Sequence, residues 1–170
     1  HVISEEVGEI NACNTVVRRG LEWAGFNTDA FGFKRSLLEF LGVKSLARKK
    51  VSIIGSGGAA KAVAYIVKQL RGKACVFNRT IGKARQLAEH YGFKYAALGA
   101  ENLELIEEYS DLIIQTTSVG MGVSEEDFFK EENNPLYFYK FRGDEAVYDV
   151  IYVPNKTPIL HAAEKAGCKI

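Results

Sequence analysis

The sequence predicts an α/β domain, a doubly wound parallel sheet with helices on both faces, preceded by a short segment outside that pattern. Three observations carry the prediction. From Lys50 onward, apolar β-branched runs alternate with helical patterns, the signature of parallel strands joined by crossover helices. The first run enters a glycine turn, Gly55-Ser-Gly-Gly58, from which a helical pattern leaves. The 170 residues, 47% hydrophobic and 25% charged, suit one globular domain of roughly 150 residues.

Each element follows in order. Asn14-Thr-Val-Val-Arg18 is short and β-branched, and Arg19-Gly20 reads as the turn after one arm of a hairpin. Asp29 marks a helix start. Phe33, Leu37, Leu38 and Leu41 recur at helical spacing, and Gly42 closes the helix. Lys50–Gly55 is a buried strand and Ala59–Leu70 the helix after it. Lys73–Phe77 is a strand, Thr80 caps a helix over Ile81–Tyr91, and Gly92 ends it. Phe93–Ala97 is a weaker strand, Glu101–Tyr109 a helix and Asp111–Thr116 a strand. A polar loop then runs to about Gly143. Its aromatics Phe128, Phe129, Tyr137, Phe138 and Tyr139 are expected to pack, because so many are seldom left in water. Ala146–Tyr152 is a fifth strand. Thr157-Pro158 opens a helix to Ala166, and Cys168–Ile170 begins a sixth strand. Right-handed crossovers give the expected order 3-2-1-4-5-6. The first 28 residues are too few for a second core.

Composition excludes several classes. Twenty-two basic against 21 acidic residues leave a net charge of +1 with no basic stripe, so no nucleic-acid partner is expected. No apolar run approaches the roughly 20 residues that span a bilayer, so no membrane partner is expected either. The opening HVISEEVGEI lacks a signal pattern, and Cys13, Cys75 and Cys168 are widely spaced. A cytoplasmic protein with buried, reduced thiols is the expectation. No CxxC pair occurs, and His1, His90 and His161 hold no metal-ligand spacing. No metal is expected, and His90 and His161 read as ordinary helix residues.

The glycine turn lies between a strand and a helix, the context a dinucleotide fingerprint requires. Gly55 permits the tight turn, Gly57 lets the backbone approach a pyrophosphate, and Ala60 allows close helix–strand packing. Backbone N–H groups at the helix start then face the anion. The next strand ends Asn78-Arg79-Thr80 without the carboxylate that would accept from ribose hydroxyls. Arg79 can grip a 2′-phosphate through its guanidinium fork, with donors from Asn78, Thr80 and Lys83. That favours NADP over NAD, against the alternative of a solvated Arg79. Asn14, Asn27 and Asp29 precede the alternation, and Asp149-Val-Ile-Tyr152 sits at the sheet's ligand-binding edge. Asp29 also reads as a helix cap, and the two asparagines as turn residues.

In order along the chain, Ala12-Cys-Asn14-Thr-Val-Val17, Gly25-Phe-Asn-Thr-Asp29, Gly55–Ala60, Asn78-Arg-Thr80, Asp111–Thr117 with Gly120-Met121, and Asp149–Tyr152 with Thr157-Pro158 resemble the shikimate/quinate dehydrogenase family over almost the whole sequence. The resemblance implies an NADP-binding Rossmann-like domain over residues 29–170 and a substrate-domain remnant over 1–28. It implies reversible, NADPH-dependent reduction of 3-dehydroshikimate to shikimate on the route to chorismate. Asp29 would be the carboxylate of the family's catalytic Lys–Asp pair. Asn14 and Tyr152 would bind substrate hydroxyls with it. Gly55, Ser56, Gly57, Gly58 and Ala59 would cradle the pyrophosphate, and Asn78, Arg79, Thr80 and Lys83 the 2′-phosphate. Thr116 and Thr117 would follow the ribose, and Val150 the nicotinamide.

The family's lysine motif and its Ser-rich substrate motif are not found in this sequence, and no lysine present occupies the matching position. The expectation is a chain truncated at both ends that binds NADP without turnover. Quinate as substrate, or a parent fused to a dehydroquinate dehydratase, remains compatible. A non-catalytic NADP-binding or sensing module is the reading of a different class. No oligomeric state is implied.

Overall fold

The computed structural model describes residues 2–3 and 5–170; His1 lies outside them. Two sheets form. The small one is ordered β1 (Val2–Ile3), β3 (Glu22–Phe26), β2 (Thr15–Arg19), with β1 parallel to β3 and β2 antiparallel to it. Gly20, at φ 63°, makes the hairpin turn. A short helix α1 (Glu5–Ile10) joins β1 to this hairpin. Neither α1 nor β1 is expected from the sequence.

The large sheet holds β4 (Lys50–Ile54), β5 (Lys73–Asn78), β6 (Lys94–Ala97), β7 (Leu112–Gln115) and β8 (Ala146–Asp149). All pairs are parallel, in the order β6-β5-β4-β7-β8. That is 3-2-1-4-5 of the expected order. The expected sixth strand is a single bridge, Lys169 to Ala146. The Cys168 N–H is drawn back to Ala163 O at 3.0 Å, leaving Lys169 alone in register.

Alternation along the strands feeds two cores, as a sheet covered on both faces requires. Val51, Ile53, Val76, Leu112 and Ile114 face α2 (Thr28–Leu41), α3 (Gly58–Gln69) and α4 (Ile81–Tyr91). Ile54, Cys75, Phe77, Ile113 and Val147 face the opposite layer. It is built from α5 (Leu103–Glu108), α6 (Pro158–Lys165) and part of the 118–143 excursion. Ser52 is buried among these apolar groups and is satisfied by donating to Tyr109 O at 3.0 Å.

Three expectations need correction. The fifth strand stops at Asp149 rather than Tyr152, because the Asp149 carboxylate accepts from Ile151 N at 2.9 Å and turns the chain. Cys75 and Cys168 are buried, but Cys13 is exposed beside the small sheet. In the excursion, Tyr139 and Phe138 join the second core, while Phe129 and Tyr137 stay exposed. Phe128 and Phe129 instead present edges to His161, with centroids 5.8 and 5.6 Å away. No described helix is long and apolar enough to cross a membrane.

Candidate functional site

The glycine turn leaves β4 at the carboxyl edge of the large sheet, where open α/β sheets hold ligands. Gly55 has φ 111°, and a Cβ there would lie 2.6 Å from Thr116 Oγ1 and 2.9 Å from Thr117 Cγ2. Its neighbours and its backbone both demand glycine. Gly57 and Gly58 differ. Gly57 has an ordinary φ of −80°, and a Cβ on either residue would meet nothing within 4 Å. Nothing inside the protein calls for a bare backbone there, whereas an approaching ligand would.

Helices α3 and α4, which leave the glycine turn and the end of β5, are unfinished at their N-termini. Helix α3 begins after Gly57 and α4 after Thr80, neither with a side-chain cap and neither with an acid in its first turn. Their free N–H groups and dipoles suit an anion. Helix α2 is the contrast, since Asn27 Oδ1 caps it by accepting from Ala30 N at 3.0 Å and Asp29 sits in its first turn. Asn27, not Asp29, is therefore the cap. Asn78 Nδ2 donates to Thr80 O at 3.0 Å and shapes the turn after β5. Arg79 and Thr80 are exposed, and no hydrogen bond or ion pair involving the Arg79 guanidinium is found among the described residues.

Two clefts open at this edge, and Gly58 lines both. The first, about 550 Å³, brings Ser56, Gly57 and Gly58 together with Lys61, Lys83 and the α1 segment Gly8–Asn11. The second, about 890 Å³, brings Asn14 and Asp29 together with Ala59, Val150 and Tyr152. Arg79, Thr80, Thr116 and Thr117 line neither cleft. Thr116 is buried and donates its hydroxyl to Ile54 O at 2.7 Å. The Thr117 hydroxyl accepts from Val119 N at 3.1 Å. Thr116 thus ties the end of β7 to the end of β4, just before the glycine turn, whereas Thr117 closes its own loop.

In the second cleft, Asn14 Oδ1 accepts from Thr28 N at 2.9 Å and ties the hairpin to the start of α2. Asp29 is exposed on that first turn, and Tyr152 is 82% exposed. No lysine lines this cleft among the described residues. Asp149, quoted in a motif but given no role from sequence, lies in the same wall. Its carboxyl is pushed up to about 6 by burial, against hydrogen bonds from Ile151 N and Thr157 Oγ1. Lys61 in the first cleft is also missed by sequence reasoning. The signal for it is helical spacing, because it stands one turn into α3 from Gly57. No cluster of three or more potential metal ligands occurs among the described residues.

Comparison with known proteins gives a consistent set. A sequence profile of the family described as Shikimate / quinate 5-dehydrogenase matches residues 39–137. The chain is 42% identical over 170 residues to a shikimate dehydrogenase (NADP(+)) of Caldicellulosiruptor saccharolyticus, covering 98% of this chain and 58% of that protein. It is 38% identical over 167 residues to the Thermococcus kodakarensis protein of the same name, covering 98% and 57%. A crystal structure of a shikimate dehydrogenase in complex with NADP+ superposes with a TM-score of 0.83 at 30% identity, covering 99% of this chain and 58% of that one. The chain therefore spans under two thirds of the length of the relatives it matches.

Proposed function

The chain belongs to the shikimate/quinate 5-dehydrogenase family, and from that membership we propose that it is the NADP-binding part of an enzyme interconverting 3-dehydroshikimate and shikimate. Residues 29–170 form the cofactor-binding domain and residues 1–28 belong to the substrate half. One observation carries the cofactor reading: the acid-free, uncapped starts of α3 and α4 border one cleft, which Gly57 and Gly58 line and where a Cβ on either glycine would meet nothing within 4 Å. That arrangement fits a dinucleotide pyrophosphate. The strand end without a carboxylate, with Arg79 exposed, fits a 2′-phosphate.

NADPH, when bound, is the source of hydride for the substrate carbonyl. Asp29 and Asn14 face the second cleft from one wall and Tyr152 from the other, and they orient the reacting hydroxyl and its neighbours. Val150, in the same cleft, would lie beside the nicotinamide when NADPH is bound. The developing alkoxide needs a proton, and a positioned acid contributes about 10²–10⁴ in rate. The family pairs its Asp with a lysine, and no lysine lines this cleft among the described residues. These 170 residues therefore bind NADP and turn over shikimate negligibly.

Calorimetric titration with NADP+ and NAD+ tests the reading. NADP+ should bind well ahead of NAD+, and Arg79→Ala should cut NADP+ affinity by roughly 10–100-fold, as expected for a charge-assisted fork, while leaving NAD+ alone. Equal affinities in the unaltered chain would refute NADP preference. Substantial NADP+-dependent oxidation of shikimate by the purified chain would refute the claim of negligible turnover.

A further inference from the structure

We infer that Lys61 is a pyrophosphate-binding residue, a role distinct from that of the cations at the end of β5. The inference rests on the cofactor reading above and deepens it. The first cleft is lined by both Lys61 and Lys83 together with Ser56, Gly57 and Gly58. The two come from different helices. Lys61 stands in the first turn of α3, the helix whose free N–H groups point into that space, and its own N–H is already committed to Gly57 O at 3.2 Å. Lys83 stands in the first turn of α4, next to Arg79 and Thr80.

Charge in the cleft is otherwise settled. The one acid lining it among the described residues, Glu9, lies 3.6 Å from His90 Nε2, and Tyr91 OH donates to the Glu9 carbonyl. Among the described residues no carboxylate is paired with Lys61 or Lys83. Lys61 is half-buried, so part of its stem is covered while it lines the cleft. An ammonium beside open helix N–H groups is a point charge suited to bridging phosphate oxygens. Because the pyrophosphate is common to NADP and NAD, Lys61 should serve affinity for both. Arg79, on the other strand end, should serve only the 2′-phosphate.

The test is calorimetric titration of the unaltered chain, Lys61→Ala, Lys61→Arg and Arg79→Ala with NADP+ and with NAD+, with thermal melts confirming that each variant folds. Lys61→Ala should weaken NADP+ and NAD+ by the same factor, about tenfold, and Lys61→Arg should restore most of it. NADP+ binding by the lysine variant should also depend less steeply on salt. Unchanged affinities, or a loss confined to NADP+, would overturn the role given to Lys61 while leaving the cofactor reading intact. An unaltered chain that binds neither nucleotide would overturn both.

Discussion

Strand β8 has a carboxylate at each end, and the two meet opposite treatment. Glu145, just before the strand, has a fully buried side chain. It accepts from Tyr139 OH at 2.8 Å, Gly143 N at 2.9 Å, Arg142 N at 3.1 Å and Cys168 Sγ at 3.3 Å. Burial pushes its carboxyl up, but these donors outweigh burial and hold it at about 2. Asp149, at the strand's last position, has two donors, and burial wins, raising it to about 6. The same contrast runs across the whole sheet. At the amino edge, Asp111 accepts from Lys50 N at 2.8 Å, and Glu108 takes the Lys50 ammonium at 2.9 Å. At the carboxyl edge, two helix starts have no cap and an arginine has no partner among the described residues. One edge is closed on itself, and the other leaves these helix starts and the Arg79 guanidinium without a partner among the described residues.

The largest effect should come from breaking the closed edge. Glu145→Ala removes the acceptor of at least four donors, and stranding such groups in the interior costs about 3–5 kcal/mol. Urea unfolding should show that loss, and a change under 1 kcal/mol would mean the knot is not structural. Next comes Gly55→Ala, which forces a strained φ and a side-chain clash at once, costing about 2–4 kcal/mol.

Asp149 gives the third effect, and it appears only as a pH dependence. Its folded carboxyl titrates at about 6 against an ordinary 3.8, so the folded chain holds a proton that the unfolded chain has lost. Stability should therefore fall as pH rises from about 4 to 6, by on the order of 2–3 kcal/mol. Asp149→Asn should flatten that slope. Glu145 acts in the reverse sense, its contribution present above its ordinary value and lost as pH falls towards about 2. Unfolding free energies at pH 3, 5 and 7 separate the two. A slope between pH 5 and 7 unchanged in Asp149→Asn would remove Asp149 as its source.

These positions also mark what the sequence made legible. The strands of the large sheet could be read because each is an apolar run between glycine or polar breaks, and the helices because Gly42 and Gly92 end them at φ 68° and 70°. Helix α1 escaped because six residues carry too little periodicity, and β1 because a two-residue strand exists only through its pairing with β3. The glycine turn is legible as a pattern, with a tight turn asked of Gly55 and a bare backbone of Gly57, but the side chains that bar a Cβ at Gly55 are not. Those, Thr116 and Thr117, lie some 60 residues away. Glu145 was invisible for the same reason: nothing in Gly143-Asp-Glu145 distinguishes a buried acid from a solvated one until Tyr139 and Cys168 close over it. The Arg79 side chain was easier, because its argument needs only a strand end and a missing acid.

The smallest effect on folding is also the sharpest test of the open edge. Gly57→Ala adds a methyl group that meets no protein atom within 4 Å, at a helix N-cap where alanine is somewhat worse than glycine. Its cost in stability should stay below about 1 kcal/mol. If the bare backbone exists for a pyrophosphate, that methyl occupies the ligand's place, and NADP+ affinity should drop at least tenfold, a change of about 1.4 kcal/mol in binding. Gly55→Ala should show the reverse balance, a large folding cost that precedes any effect on the ligand. Two alanines two residues apart would then separate the glycine the fold requires from the glycine the cofactor requires. Equal folding costs, or full NADP+ affinity in Gly57→Ala, would erase the distinction between a closed and an open edge at this turn.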